Sequence, residues 1–261
     1  MDTEAEITFL GTGTSIGVPV IGCDCAVCRS GDPKNKRLRS SIHVRCGDLA
    51  LVVDTGPDFR QQCLREEIEN LDAVLFTHAH SDHIMGFDDL RRFTVDEGDF
   101  IDVFATHECL ARLRAAFHYA FDGDNWYRGY LKPTPHTIDG PFAVGELEVT
   151  PLPVRHGKVE TIGFGFERAG GVRFAYIPDA KTVSEETREW LHDVDVLILD
   201  GLQMEPHWTH LSIPEAVDLA GTVGAASTWL THCACRVNYR MIEPQLPDNV
   251  RIAWDGLRIR V

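Results

Sequence analysis

The chain has 261 residues, 44% apolar and 25% charged, ordinary values for a globular protein, with no low-complexity tract. Lys and Arg number 25 against 40 Asp and Glu, a formal charge of −15. Such a field repels polyanions and excludes extended nucleic acid as a partner, yet a small anionic substrate stays compatible, because bound cations can invert the sign of one pocket. Met1-Asp2-Thr3-Glu4-Ala5-Glu6 is acidic and runs straight into the strand-like Ile7-Thr8-Phe9-Leu10, unlike a secretory leader. No apolar run approaches the roughly 18 residues of a membrane span. The expectation is a cytoplasmic protein with no membrane partner, whose eight cysteines point to metal ligands or buried thiols instead of a disulfide framework.

Gly11-Thr12-Gly13-Thr14-Ser15-Ile16-Gly17 follows the first strand, but it lacks the spacing of a dinucleotide fingerprint and leads into Val18-Pro19 instead of a helix, so it reads as a tight turn. Cys23-Asp24-Cys25-Ala26-Val27-Cys28 then crowds three thiols into one short loop. Short β-rich runs at 49–53, 73–76, 196–199 and 228–230 each end in a polar residue: Asp54, Thr77-His78, Asp200 and Thr231-His232. Strand ends are rigid and the loops beyond them are free to carry chemistry. Residues 116–136 are aromatic, with Gly and Pro and weak periodicity, and read as a long loop or partial lid. Hairpins are expected for 163–167 with 172–177, and for 251–254 with 257–260 across Asp255-Gly256. Helices are expected at 184–192 and 212–223, the second opened by the capping-box pattern Ser212-Ile213-Pro214-Glu215. No linker or tandem repeat interrupts 1–261, which is read as one domain of class α/β, a four-layer αββα sandwich.

Thr77-His78-Ala79-His80-Ser81-Asp82-His83 is the densest signal. Alternate residues of an extended segment point the same way, so His78 and His80 share a face, and the following turn can bring Asp82 and His83 alongside. Imidazole nitrogens and carboxylate oxygens suit Zn²⁺ or Mn²⁺. A lone histidine here would be an ordinary surface residue; four potential ligands directly after a buried strand favour metal.

H-x-H-x-D-H after an apolar strand resembles the signature of metallo-β-lactamase-fold hydrolases, and the likeness continues at His156, Asp179 and His232. The resemblance implies that His78, His80 and His156 hold one divalent cation, that Asp82, His83 and His232 hold a second, and that Asp179 bridges them. Asp54, in Asp54-Thr55-Gly56-Pro57-Asp58, is similar to the first-strand aspartate of that fold; it either orients a ligand histidine by a hydrogen bond or serves as a simple turn residue.

The cysteine loop resembles that of the phosphoribosyl 1,2-cyclic phosphate phosphodiesterase branch, in which C-x-C-x-x-C carries a structural zinc whose fourth ligand, a His, lies three residues after the last catalytic His. Here that position is Cys235, so the implied site is Cys23, Cys25, Cys28 and Cys235; the other reading is a set of reduced thiols without metal. The branch also has a reaction-assisting histidine at the position of His210, just before the capped helix; as a lone histidine it reads equally as structural.

The function implied is hydrolysis of a small, cyclic phosphodiester such as 5-phosphoribosyl 1,2-cyclic phosphate with two Mn or Zn ions, with Asp82 and His210 in catalytic roles and a homodimer as the assembly. The rivals are a nuclease similar to the tRNA 3′-processing enzyme, opposed by the acidic balance, a thioester or lactam hydrolase of the same fold, and a metal-dependent binding or sensor protein without turnover.

Overall fold

The computed structural model describes residues 5–95, 100–123, 129–168 and 170–261. Among them, the first sheet contains β1 (Ala5–Gly11), β2 (Ser41–Cys46), β3 (Leu49–Val53), β4 (Ala73–Leu75), β5 (Ile101–Ala105) and β6 (Pro133–Thr137) in that spatial order. The second contains β7 (Phe142–Val144), β8 (Leu147–His156), β9 (Val159–Arg168), β10 (Arg173–Ile177), β11 (Thr182–Val183), β12 (Val196–Asp200), β13 (Ser227–Thr231) and β14 (Val250–Ile252), ordered β11-β8-β9-β10-β12-β13-β14 with β7 against β8. The last strand, β15 (Arg258–Arg260), returns to the first sheet beside β1.

Side-chain alternation in the strands builds the layers. In β3, Leu51 and Val53 enter the core between the sheets, with Phe9, Phe164 and Tyr176, whereas Val52 faces the opposite way. In β12, Val196 and Ile198 face inward and Leu197 and Leu199 outward. Strands apolar on both faces need cover on both. Outside the first sheet, Val52, Val74 and Phe76 pack with Phe59 of α1 (Phe59–Glu66), followed in the chain by α2 (Ser81–Ile84), and with Leu110 and Leu113 of α3 (His107–Ala116). Two short helices, α4 (His118–Phe121) and α5 (Glu185–Trp190), come next in the chain. Outside the second sheet, Leu197 and Leu199 pack with Ala216 and Leu219 of α6 (Ile213–Val223), whose capping box at Ser212 and Glu215 forms as expected. This is the αββα sandwich read from the sequence.

Two expectations fail. Residues 251–254 and 257–260 do not form a hairpin: β14 pairs in parallel with β13 in the second sheet, and β15 antiparallel with β1 in the first. Asp-Gly chemistry suits a hairpin turn, but the Asp255 carboxylate instead accepts hydrogen bonds from Thr12 N and Oγ1 and from Leu38 N, which pins the segment as a crossing between sheets. Residues 116–136 are not one long loop. They contain α4 and most of β6, whose two prolines are tolerated because it is the edge strand. The centre of that segment, 124–128, lies outside the described residues, as does Ala169 in the turn of the expected 163–177 hairpin, whose strands β9 and β10 do pair antiparallel.

Candidate metal centre

The site lies at one end of the sheets, where several strands stop. Residues 76–80 lead out of β4 as irregular backbone with a bend at Thr77, and His78 Nε2 comes within 2.9 Å of His80 Nδ1. The single turn of α2 starts at His80 and carries Asp82 and His83, both buried. His156 ends β8, Asp179 follows β10, and His232 follows β13. His232 is held at a φ of 57°, a left-handed conformation that few non-glycine residues adopt.

These side chains converge. His83 Nε2 lies 3.2 Å from Asp82 Oδ2 and 3.0 Å from Asp179 Oδ2. His232 Nε2 lies 3.3 Å from Asp179 Oδ1 and 3.8 Å from Asp82 Oδ2. His156 Nε2 lies 3.8 Å from Asp179 Oδ1. Ligating atoms of His78, His80 and His156 fall within 4.8 Å of one another, and so do those of Asp82, His83 and His232.

Several of these atoms are buried without a hydrogen-bonding partner: His83 Nε2, Asp179 Oδ2, and both ring nitrogens of His232. Leaving such groups unsatisfied costs about 1–3 kcal/mol each, so the arrangement fits donors aimed at a shared cation. Electrostatics agree. Burial opposes charge on His83, but Asp179, Asp54 and Asp82 outweigh it and hold the imidazole pKa well above its ordinary value. Burial likewise opposes ionisation of Asp179, and His232 and His83 overcome it, holding the carboxyl well below the usual range. The Asp179 carboxylate and the imidazoles that burial keeps neutral are in the state that can ligate, and the three carboxylates that favour a proton on His83 are the field that would draw a cation into its place.

Outer contacts fix ring orientation. His156 Nδ1 donates to the Thr209 carbonyl at 3.0 Å, which turns Nε2 inward. Fully buried Asp54, at φ 64°, accepts from His83 Nδ1 at 2.7 Å and from Thr77 N and Oγ1, each at 2.8 Å. Of the two readings of Asp54, its geometry is that of the residue orienting a ligand histidine.

His210 stacks on His232 with centroids 4.8 Å apart, and its Nδ1 lies 2.8 Å from Oδ2 of the fully buried Asp200. Sequence reasoning assigned Asp200 no role. Its one signal was its place at the end of an apolar strand, the same signal that marked Asp54. The cleft above the cluster, about 330 Å³, is lined by the cluster together with Ser15, Lys158, Thr209 and His210.

About the cysteines the structure is equally definite in placement. The sulfurs of Cys23, Cys25, Cys28 and Cys235 lie within 4.8 Å of one another, and all are free thiols. Val20 N donates to Cys28 Sγ at 3.3 Å and Cys28 N to Cys25 Sγ at 3.4 Å. The Cys28 amide pulls the Cys25 pKa down to about 7, while burial pushes Cys28 up to about 12. Four crowded thiols can ionise together only beside a cation, and four sulfurs match tetrahedral zinc. Loop 232–235 is tied to the rest by hydrogen bonds from Cys233 N to Thr12 O and from Ala234 N to Leu202 O.

Comparison with known proteins places this geometry in a class. Residues 50–233 match the family described as beta-lactamase superfamily domain. The chain belongs to that superfamily and is a metallo-β-lactamase-fold hydrolase, a fold that implies divalent metal ions. A crystal structure described as a new diphosphatase from the PhnP family is 35% identical, with 99% of this chain and 97% of that one covered at a TM-score of 0.91. An octanoyltransferase from Porphyromonas gingivalis is 36% identical over 254 residues, 95% of this chain and 50% of the relative, so the chain spans about half that protein's length. Coenzyme PQQ synthesis protein B from Methylorubrum populi is 31% identical over 230 residues, 77% of this chain and 74% of that protein. Among the described residues, no helix is long and apolar enough to cross a membrane.

Proposed function

We propose that the chain hydrolyses small phosphodiesters, cyclic ones such as 5-phosphoribosyl 1,2-cyclic phosphate. In this reading His78, His80 and His156 hold one Mn or Zn ion, Asp82, His83 and His232 a second, and Asp179 both; Cys23, Cys25, Cys28 and Cys235 hold a structural zinc. The observation that carries it is the convergence of these seven His and Asp side chains, several with orphaned buried donor atoms, beside the His210–Asp200 pair. Likeness to a diphosphatase over nearly its whole length supports phosphorus as the centre attacked. Half of the octanoyltransferase lies outside the alignment, so its name carries no acyl transfer to this chain.

Two divalent ions supply Lewis acidity toward phosphoryl oxygens and lower the pKa of water to near neutrality. The chain does the rest. Asp82, which lines the cleft, orients the attacking water, and His210 gives the proton on Nε2 to the departing alkoxide oxygen while its Nδ1 takes one from the Asp200 carboxyl, whose pKa burial holds well above the usual range. Asp54 and the Thr209 carbonyl keep His83 and His156 from rotating.

A panel of bis(4-nitrophenyl) phosphate, a cyclic nucleotide and a thioester, assayed with Mn²⁺ or Zn²⁺, tests this reading. Metal-dependent turnover of the phosphodiesters is expected, with kcat reduced roughly 10²–10⁴-fold in His210→Ala. Turnover of the thioester alone, or of none of the three, refutes it.

A further inference from the structure

Of the eight cysteines, Cys46, Cys109 and Cys233 are sealed in the apolar core, and Cys63 is half-buried. The remaining four share one cluster but differ in access. Cys23, Cys25 and Cys235 are half-buried. Cys28 is only 6% exposed, packs with Val18 and Val27, and has its sulfur held by the Val20 amide. The segment carrying Cys23 and Cys25 has no helix or strand from residue 19 to residue 32, and Ile21 and Asp24 stand out in solvent. A small oxidant can therefore reach Cys25 and Cys235 from outside, and turn backbone leaves the first of these loops room to adjust.

Cys235 comes from the far end of the chain. The Cys25 thiol donates to the Cys235 carbonyl at 3.5 Å, across 210 positions, and both sulfurs belong to the set whose members lie within 4.8 Å of one another. A disulfide closes its sulfurs to about 2.05 Å, a short approach from this arrangement. In the branch that the cysteine loop resembles, the residue at this position is a histidine, which can ligate a metal yet cannot form that bond. Cysteine at 235 keeps the ligand count and adds an oxidisable partner, so the chemistry belongs to this chain's own departure from the pattern.

We propose that Cys25 and Cys235 are a modification site at which hydrogen peroxide forms a disulfide. The Cys25 sulfur attacks one peroxide oxygen: an S–O bond forms and the O–O bond breaks. The other oxygen leaves as water with the thiol proton, and the sulfur, oxidised by two electrons, becomes a sulfenic acid. The Cys235 sulfur then displaces that hydroxyl; the S–S bond forms, the S–O bond breaks, and a second water carries away the Cys235 proton. Two joined sulfurs no longer offer two thiolates, so a zinc held by all four is released. That release rests on the four-sulfur reading above, whereas the disulfide rests on the sulfur geometry alone.

The test treats reduced, zinc-loaded protein with hydrogen peroxide. Free thiols are followed with a chromogenic disulfide reagent, zinc with a chromophoric chelator, and the bridge by peptide mass mapping. Two thiols should disappear for each zinc freed, the peptides holding Cys25 and Cys235 should be joined, and dithiothreitol with added zinc should reverse both changes. Cys235→His keeps a fourth ligand and removes the partner sulfur, so zinc release at the same peroxide concentration should slow about tenfold. A bridge confined to residues 23–28, oxidation of wild type that yields sulfinic acid and no bridge, or equal rates in Cys235→His overturns the proposal. If wild type forms the bridge but holds no zinc at these sulfurs, the modification site stands and the four-sulfur metal reading falls. The bridge is mapped on wild type, so the outcome does not hang on how the variant folds.

Discussion

Replacing Asp54 separates what the carboxylate does for folding from what it does for metal. Asp54 is fully buried, and Thr77 N, Thr77 Oγ1 and His83 Nδ1 all donate to it. Alanine leaves three buried donors without an acceptor. At about 1–3 kcal/mol for each orphaned group, partly relieved where a water enters, the loss is about 3–6 kcal/mol. Asparagine is the more informative change. If its oxygen takes the place of Oδ2, it keeps Thr77 Oγ1 and His83, but its amino group meets the Thr77 N–H, donor against donor. If it flips, the amino group faces His83 Nδ1, which must then accept, and the imidazole proton moves to Nε2, the atom aimed at Asp82 and Asp179. A protonated Nε2 cannot ligate a cation. Asp54→Asn should therefore lose about 1–3 kcal/mol in urea unfolding of the metal-free protein, and roughly 10–100-fold in affinity for the cation held by Asp82, His83 and His232, measured by competition with a chromophoric chelator. Metal affinity within twofold of wild type would refute the orienting role.

His43 in β2 should make the fold acid-sensitive. Burial, reinforced by Arg45 and Arg258 and opposed by Glu66, lowers its pKa from 6.5 to about 4, so the folded state binds this proton more weakly than the unfolded chain. Stability from the neutral ring is complete above about pH 6.5 and falls as pH drops toward 4; at pH 5 the linkage amounts to about 2 kcal/mol. Urea unfolding at pH 8 and pH 5 should show that difference shrinking by this amount in His43→Leu, and an identical pH dependence would refute it. For the cysteine site, Cys25→Ser/Cys28→Ser should remove one zinc per chain by elemental analysis. Losing even about 3 kcal/mol of binding energy would lower Tm by roughly 6–12 °C. Unchanged zinc content would count against the four-sulfur site.

What the sequence disclosed was governed by how local each signal is. His78 to His83 could be read because one strand end and one turn hold four donors, and both sheets could be read from runs apolar on two faces, such as 49–53 and 196–199. His156, Asp179 and His232 are single residues, placed by likeness to a family pattern and brought together only by the fold. Asp200 escaped because its partner His210 is ten positions away and only tertiary structure makes them a pair. The Asp255-Gly256 hairpin was misread for the converse reason: local turn chemistry was right, but contacts with Thr12 and Leu38, more than 200 positions earlier, set where the flanking strands went. Prolines in β6 hid a strand because their cost vanishes at a sheet edge.

The crossing at Asp255 also bears on how the fold is reached. One segment supplies a neighbour to each sheet: β14 lies beside β13, and β15 beside β1, with Glu6 opposite Arg260. Pairing residues so distant along the chain closes a very large loop, the kind of contact that makes folding slow, so neither sheet reaches its full width until that segment has docked on both.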